Sequence, residues 1–489
     1  MSINDRVKVA GIGTVAVAAA VAGLWLWFAV APSQRLELRV AEVGPDPATQ
    51  GVADVVDLQG TFETFDGQAG TTVDAWPRFR GASSDNMART GVELATEWTS
   101  DGPPRLWSVA LGDGYAGPAV RNGRVYVLDY DVAAKGDALR CFSITDGREI
   151  WRRSYEVRVK RNHGMSRTVP AVTDAYVVSL GPKCHVLCVD AVTGDFRWGI
   201  DLVHDYGSEV PLWYASQCPL IDQGMAVLAP GGEDVLMMGV DCASGEVAWQ
   251  TPNPDGWSMS HASIIPATVH GKRQYVYCAI GGVVGVSAEP ADRGTVLWKT
   301  PDWDFAVVAP SAVVMPDGKL LVTAGYGAGS RLFQLEKTAA GWSAEVLHTW
   351  GRKHFACEQQ TPLLYNGTLI TVMPNDGGAL NRQLVCMRPD GTHVWSSGKT
   401  TRFGLGPFMI VNDRLLVMRD DGTLTMAAAD GAAYRELASA SVLHGREAWA
   451  PMAFVDGLLV CRDAEEMVCL DLRVGGRATT ESTESTEGN

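Results

Sequence analysis

Eight prolines divide most of this chain at spacings of 52, 49, 47, 44, 52, 45 and 44 residues: Pro118, Pro170, Pro219, Pro266, Pro310, Pro362, Pro407 and Pro451. The residues running up to them are rich in side chains that can do chemistry. Tyr115 precedes the first; Asn162, His163 and Arg167 the second; Trp213, Tyr214 and Gln217 the third; Trp257 and His261 the fourth. Trp303 follows, then Arg352, His354, Glu358 and Gln359, then Arg402, and last Arg446, Glu447 and Trp449. If these segments meet in space, the aromatic faces can stack on a planar group while the arginines grip carboxylates in bidentate fashion. The same residues suit a polar rim that satisfies loop backbone or receives a partner. The binding candidates are Tyr115, His163, Arg167, Trp213, Tyr214, His261, Arg352, His354, Glu358 and Arg446.

Other chemistries have less support. His163, His261 and His354 fall in different units, and no HxH or HExxH spacing assembles a metal site. GYGAGS at 325–330 lacks the lysine of a phosphate loop and reads as a turn. No serine or cysteine stands in a local nucleophile signature, so no catalytic residue is assigned.

The elements that would bring the eight segments together are written in the repeat. Each proline marks the start of a strand, where its missing N–H is tolerated. An apolar strand, a tight turn and a second apolar strand follow, as in PAVRNGRVYVLDY; Asn122-Gly123 and Asn366-Gly367 are hairpin dipeptides. A third strand ends in TDG, TG, SG or DG, and a fourth carries Trp151, Trp198, Trp249, Trp298 or Trp395. Trp350 or Trp342 fills that place in the fifth unit and Tyr434 in the seventh. A large aromatic there can pack against the neighbouring unit. The eighth unit stops after three strands, and PPRLWSVAL upstream, with Trp107, supplies the fourth. The expected fold is all-β: an eight-bladed β-propeller of four-stranded antiparallel blades, closed by an N-terminal strand. The segments before each proline then converge on one mouth of the central channel.

The flanks differ. Val9–Ala31 is a run of 23 residues without a charge, enough for one transmembrane helix; a cleaved signal peptide competes but is longer than usual, with Pro32 after the cut. The expected order is a cytoplasmic tail at 1–8, an anchor at 9–31, an acidic flexible linker at 32–75, the propeller at 76–474 and a disordered tail at 475–489. This places the propeller in the periplasm, on a single-pass inner-membrane anchor. A net charge of −15 argues against nucleic acid. Cys141, Cys188, Cys386 and Cys469 recur at one repeat position, where Gly239 stands in the third unit, which marks small buried strand residues rather than a disulfide framework.

The stretches ITDGREIW, VDAVTGDFRW and VDCASGEVAW, with WPRFRG at 76–81 and GYAGPAV at 114–120, resemble the PQQ-like (pyrrolo-quinoline quinone) propeller repeat. That family includes bacterial PQQ-binding-like propellers, the propeller subunit of the outer-membrane assembly machinery, and quinoprotein alcohol dehydrogenases. The resemblance spans residues 76–474. It implies either a binding or scaffold module for an envelope protein or polymer, or a dehydrogenase using PQQ with Ca²⁺. The chain lacks the adjacent cysteines of the dehydrogenases and a locatable calcium-ligand set, and it has no CxxCH haem motif, which favours the module.

Overall fold

The computed structural model describes residues 21, 55–160, 164–339, 341–429 and 432–476. The chain divides into two units, Met1–Val55 and Val56–Asn489. Nearly all described residues lie in the second. Apart from Val21, the anchor expected at 9–31 falls outside the described residues, as does the tail after 476; among the described residues no helix is long and apolar enough to cross a membrane.

Eight antiparallel four-stranded meanders form the second unit, at 119–156, 171–201, 220–252, 265–300, 313–350, 363–396, 408–441 and 453–471. The last has three strands of its own. Arg105–Ala110 pairs with Glu466–Asp471 to complete it, setting Trp107 opposite Cys469, so the ring closes as the repeat requires. The hairpin dipeptides adopt the expected left-handed backbone, φ +49° and +71° at Asn122-Gly123 and +47° and +74° at Asn366-Gly367. Blade interiors are dry: six of the seven residues of Val235–Asp241 are buried.

Each blade repeats one packing device. Trp151, Trp198, Trp249, Trp298 and Trp395 lie opposite Cys141, Cys188, Gly239, Gly285 and Cys386, with a β-bulge beside each pair. Only a small residue fits there: a Cβ on Gly239 or Gly285 would lie 2.1 or 2.2 Å from an indole nitrogen. The indole then docks on the turn glycine of the next blade, since a Cβ on Gly147, Gly194, Gly245 or Gly294 would come within 2.9 Å of Trp107, Trp151, Trp198 or Trp249. All ten cysteines are buried and unbridged.

Two blades depart from the expected pattern. In the fifth, His348 occupies the register opposite Leu332, and Trp350, two residues on, docks on Gly391 of the sixth blade. In the seventh, Ala438 takes the register position opposite Met426. Tyr434 instead receives Trp395 from the sixth blade at 6.3 Å.

Residues N-terminal to the ring are built into it. Thr61–Thr64, within the expected flexible linker, forms a fifth strand on the outer edge of the first blade, and Arg153 lies 4.8 Å over the Phe62 ring. The alternation of Phe62 with polar residues suits an edge strand with one covered face. WPRFRG then begins a strap across one end of the channel. Trp76 exchanges both main-chain hydrogen bonds with Val120 of the first blade, at 2.8 Å. Val172 of the second donates to the Pro77 carbonyl at 2.7 Å, and Arg78 donates to Ile221 of the third at 3.3 Å. Arg80 donates to Thr361 at the sixth, and Met87–Ala88 pairs parallel with the inner strand of the seventh. Burial lowers the Arg80 pKa to about 10 against the opposing pull of Asp85 and Cys357.

Candidate functional site

The start of the inner strands is bound together by a belt of hydrogen bonds running from blade to blade. The Val169 N–H donates to Cys218 Sγ at 3.2 Å, Cys218 N–H to Ser263 Oγ at 2.9 Å, Ser263 N–H to Ser311 Oγ at 3.1 Å, and Ser311 N–H to Thr361 Oγ1 at 2.9 Å. Small polar residues are needed because each side chain must reach the next blade's main chain without filling the channel.

Here the channel forms a cup of about 120 Å³ with Phe79 of the strap among its lining residues. Its walls include Tyr115, Arg167, Trp213, Ser216, His261, Tyr326, Glu358, Gln359, Gln360 and Trp449. Two aromatic groups come from different arcs of the ring. On one, Trp213 lies 5.5 Å from Tyr326 and stacks on His261 at 6.2 Å. On the other, Tyr115 lies 5.2 Å from Trp449, and the Arg167 guanidinium sits 5.2 Å over the Tyr115 ring. The Tyr115 hydroxyl donates to the Glu447 carboxylate.

The backbone here is held in unusual conformations. Trp213, Tyr214, Tyr326 and Glu447 all have positive φ, at +64°, +74°, +54° and +56°. Such conformations cost on the order of 1–3 kcal/mol each when bulky side chains adopt them, and they cluster at sites where a side chain must be aimed.

Of the ten candidates, the cup gathers Tyr115, Arg167, Trp213, His261 and Glu358. Tyr214 instead donates to the Lys160 carbonyl at 2.5 Å, under the Lys183 ammonium. Arg352 pairs with Asp376 at 3.1 Å. His354 stacks between Trp350 and His393, at 6.3 and 4.6 Å, on the outer seam of the fifth and sixth blades. Arg446 is exposed outside the cup, and His163 lies outside the described residues. The loop before each proline is long enough to carry residues away from the channel, so proximity to a proline overcounts. Tyr326 was missed as a site residue because it sits in GYGAGS, a turn between second and third strands; such turns open on the same mouth. Phe79 was missed because nothing local in WPRFRG announces a strap.

The charges are sparse and perturbed. Burial, helped by Arg167, pushes His261 down to about 4, so its imidazole is neutral. Glu358 is raised by burial and by the neighbouring charges of Asp376 and Asp420. Cys218 is pushed up to about 11 by burial, far from a thiolate. Ser216 Oγ lies 2.8 Å from His261 Nδ1, the contact of a nucleophile with its base. The ring's further hydrogen bonds run to the Leu212 and Tyr214 backbone, however, and so weak a base would activate a hydroxyl poorly. The pair braces the Trp213 loop.

Residues 134–345 match the family model for outer membrane protein assembly factor BamB. Among solved structures, the BamB of Moraxella catarrhalis is similar at 13% identity and a TM-score of 0.50, covering 75% of this chain and 99% of that one. The quinohemoprotein alcohol dehydrogenase of Comamonas testosteroni is similar at 12% identity and 0.58, covering 83% and 82%. ADHIIG of Pseudomonas putida HK5, another such enzyme, stands at 14% and 0.54, covering 83% and 81%. No curated protein sequence matches. Residues 134–345 thus carry the PQQ-like repeat, and the structural likenesses show the propeller fold.

The cup's donor set does not fit PQQ with Ca²⁺. A tricarboxylate would meet one lining guanidinium, Arg167, opposed by Glu358. Among the described residues no three His, Cys, Asp or Glu side chains are grouped to hold a metal.

Proposed function

We propose that this protein is a non-catalytic recognition module of the bacterial cell envelope, with the cup as its binding face. Val9–Ala31 would anchor it in the inner membrane and present the propeller to the periplasm, where a partner protein or polymer meets the mouth. The observation that carries this reading is the cup itself: a channel closed at one end by the chain's own strap and lined at the other by aromatic side chains on strained backbone. The family match to an assembly factor supports an envelope role.

The test uses full-length protein in membranes, with a photo-crosslinking side chain placed at Tyr326, which is exposed at the rim. A discrete adduct is expected there, and none at an exposed blade-edge position such as Val247. The reverse pattern would move the binding face to the blade edges. Carbonate extraction and protease accessibility check the anchor and its orientation. Titration with PQQ and Ca²⁺, followed by dye-linked alcohol oxidation, checks the alternative; saturable binding with turnover would replace this reading with an oxidoreductase.

A further inference from the structure

We infer that the cup binds one neutral pyranose ring, the accessible sugar unit of a glycan, without transforming it. This rests on the reading that the mouth is the binding face, and it names the ligand's chemistry.

Size comes first. The enclosed space of about 120 Å³ is below the roughly 150 Å³ that holds a benzene ring, so the cup would receive one side of a single terminal sugar ring whose remainder stands out at the open mouth. The walls come second. Trp213 with Tyr326, and Tyr115 with Trp449, offer aromatic faces from opposite arcs of the ring, suited to the apolar C–H faces of a pyranose.

Polar chemistry narrows the class. The lining also holds Arg167, Glu358 and Gln359, planar groups able to engage adjacent hydroxyls, while the Gln360 amide already donates to the Trp449 carbonyl at 3.1 Å. An apolar occupant would displace water from Arg167, Glu358 and Gln359 without offering a hydrogen bond in its place. Charge narrows it again. The lining holds one guanidinium, Arg167, and one carboxyl, Glu358, so its charges balance toward a neutral guest; a polyanion would meet Glu358, and a cation would meet Arg167. Trp213 is packed against Tyr326 at 5.5 Å and His261 at 6.2 Å before a ligand arrives, which reduces the ordering cost of weak stacking contacts.

Full-length protein in detergent is titrated with the methyl glycosides of glucose, galactose, mannose and N-acetylglucosamine. Tryptophan fluorescence and saturation-transfer NMR supply the readouts. At least one glycoside is expected to saturate in the millimolar range, with Gln359→Ala and Trp213→Ala each weakening it about tenfold or more and Arg446→Ala leaving it unchanged. Because Trp213→Ala disturbs a strained loop, Gln359→Ala, with an unchanged melting temperature, carries the decision. A disaccharide that binds as well assigns the source to a chain end; one that is excluded assigns it to a free sugar. No response to any glycoside at about 50 mM, or a response that Gln359→Ala leaves intact, overturns the inference. A surviving crosslink from Tyr326 to a protein would then show that the mouth still binds and that only the glycan assignment has failed; loss of both would sink the binding reading too.

Discussion

The two ends of the channel are built from the same ring of inner strands, yet they are finished by different means. At the strap end, main chain meets main chain: Trp76, Pro77 and Ala88 hydrogen-bond to the first, second and seventh blades. Left-handed residues occur there too, at Arg80, Ser84 and Asn86, but Asn86 donates to the Arg80 carbonyl at 2.9 Å and the Arg80 guanidinium to that of Ser84 at 3.0 Å. At the mouth the left-handed residues aim Trp213 and Tyr326 into the cup or over its rim. Unusual backbone serves closure at one end and presentation at the other. Stability is therefore expected to concentrate at the strap and ligand response at the cup.

The most damaging change should be at the strap. Arg80→Met strips donors from the Ser84 and Thr361 carbonyls, and a loss of about 2–4 kcal/mol in urea unfolding is expected. A loss below about 1 kcal/mol would mean the strap is an ornament.

Next comes a pH effect at the mouth. His261 is held near 4 in the folded protein against 6.5 ordinarily, so between those values the unfolded chain binds a proton that the folded chain refuses. Stability present at pH 7 is thus lost as pH falls from about 6.5 toward 4, by roughly 2–3 kcal/mol. His261→Gln should flatten that part of the pH–stability curve. An unaltered curve would place the acid sensitivity elsewhere.

A buried acid behind the mouth titrates in the opposite sense. Burial lifts Asp137 to about 7, although the Tyr155 hydroxyl donates to it at 2.7 Å. The folded state then binds the proton more tightly than the unfolded, and stability falls as pH rises from about 4 to 7. Asp137→Asn should stabilise the protein at pH 8 by about 2 kcal/mol, with little effect at pH 4, in thermal melts at the two pH values.

The belt should give less. Thr361→Val removes one acceptor of the Ser311 N–H, and a loss of about 1–2 kcal/mol is expected by chemical denaturation. Smallest of all, Tyr326→Ala should change stability by less than about 0.5 kcal/mol while abolishing the ligand response at the mouth. A large stability loss there would erase the distinction between the two ends.

Repetition made the blades legible. Pro, the Asn-Gly turns, the small residue opposite each Trp and the missing fourth strand of the eighth unit are local signals, and a pattern written eight times survives a weak copy. The fifth and seventh blades were the least legible: both keep the bulge of the other blades, but the fifth sets His348 at the Trp register with Trp350 two residues on, and the seventh sets Ala438 there. Half of the site candidates reached the cup. Arg352, His354 and Arg446 did not, since the sequence marks which loop a residue occupies but not which way that loop turns.

By itself the sequence determined the number of blades, the strand that closes the ring and the burial of the cysteines, because each follows from short-range patterns of apolar residues and turns. Only the tertiary structure decided that WPRFRG lies across the channel, that Phe79 helps close the cup, and that Tyr326 meets Trp213. Those contacts join residues hundreds of positions apart or in different blades, and ring closure, not local preference, brings them together.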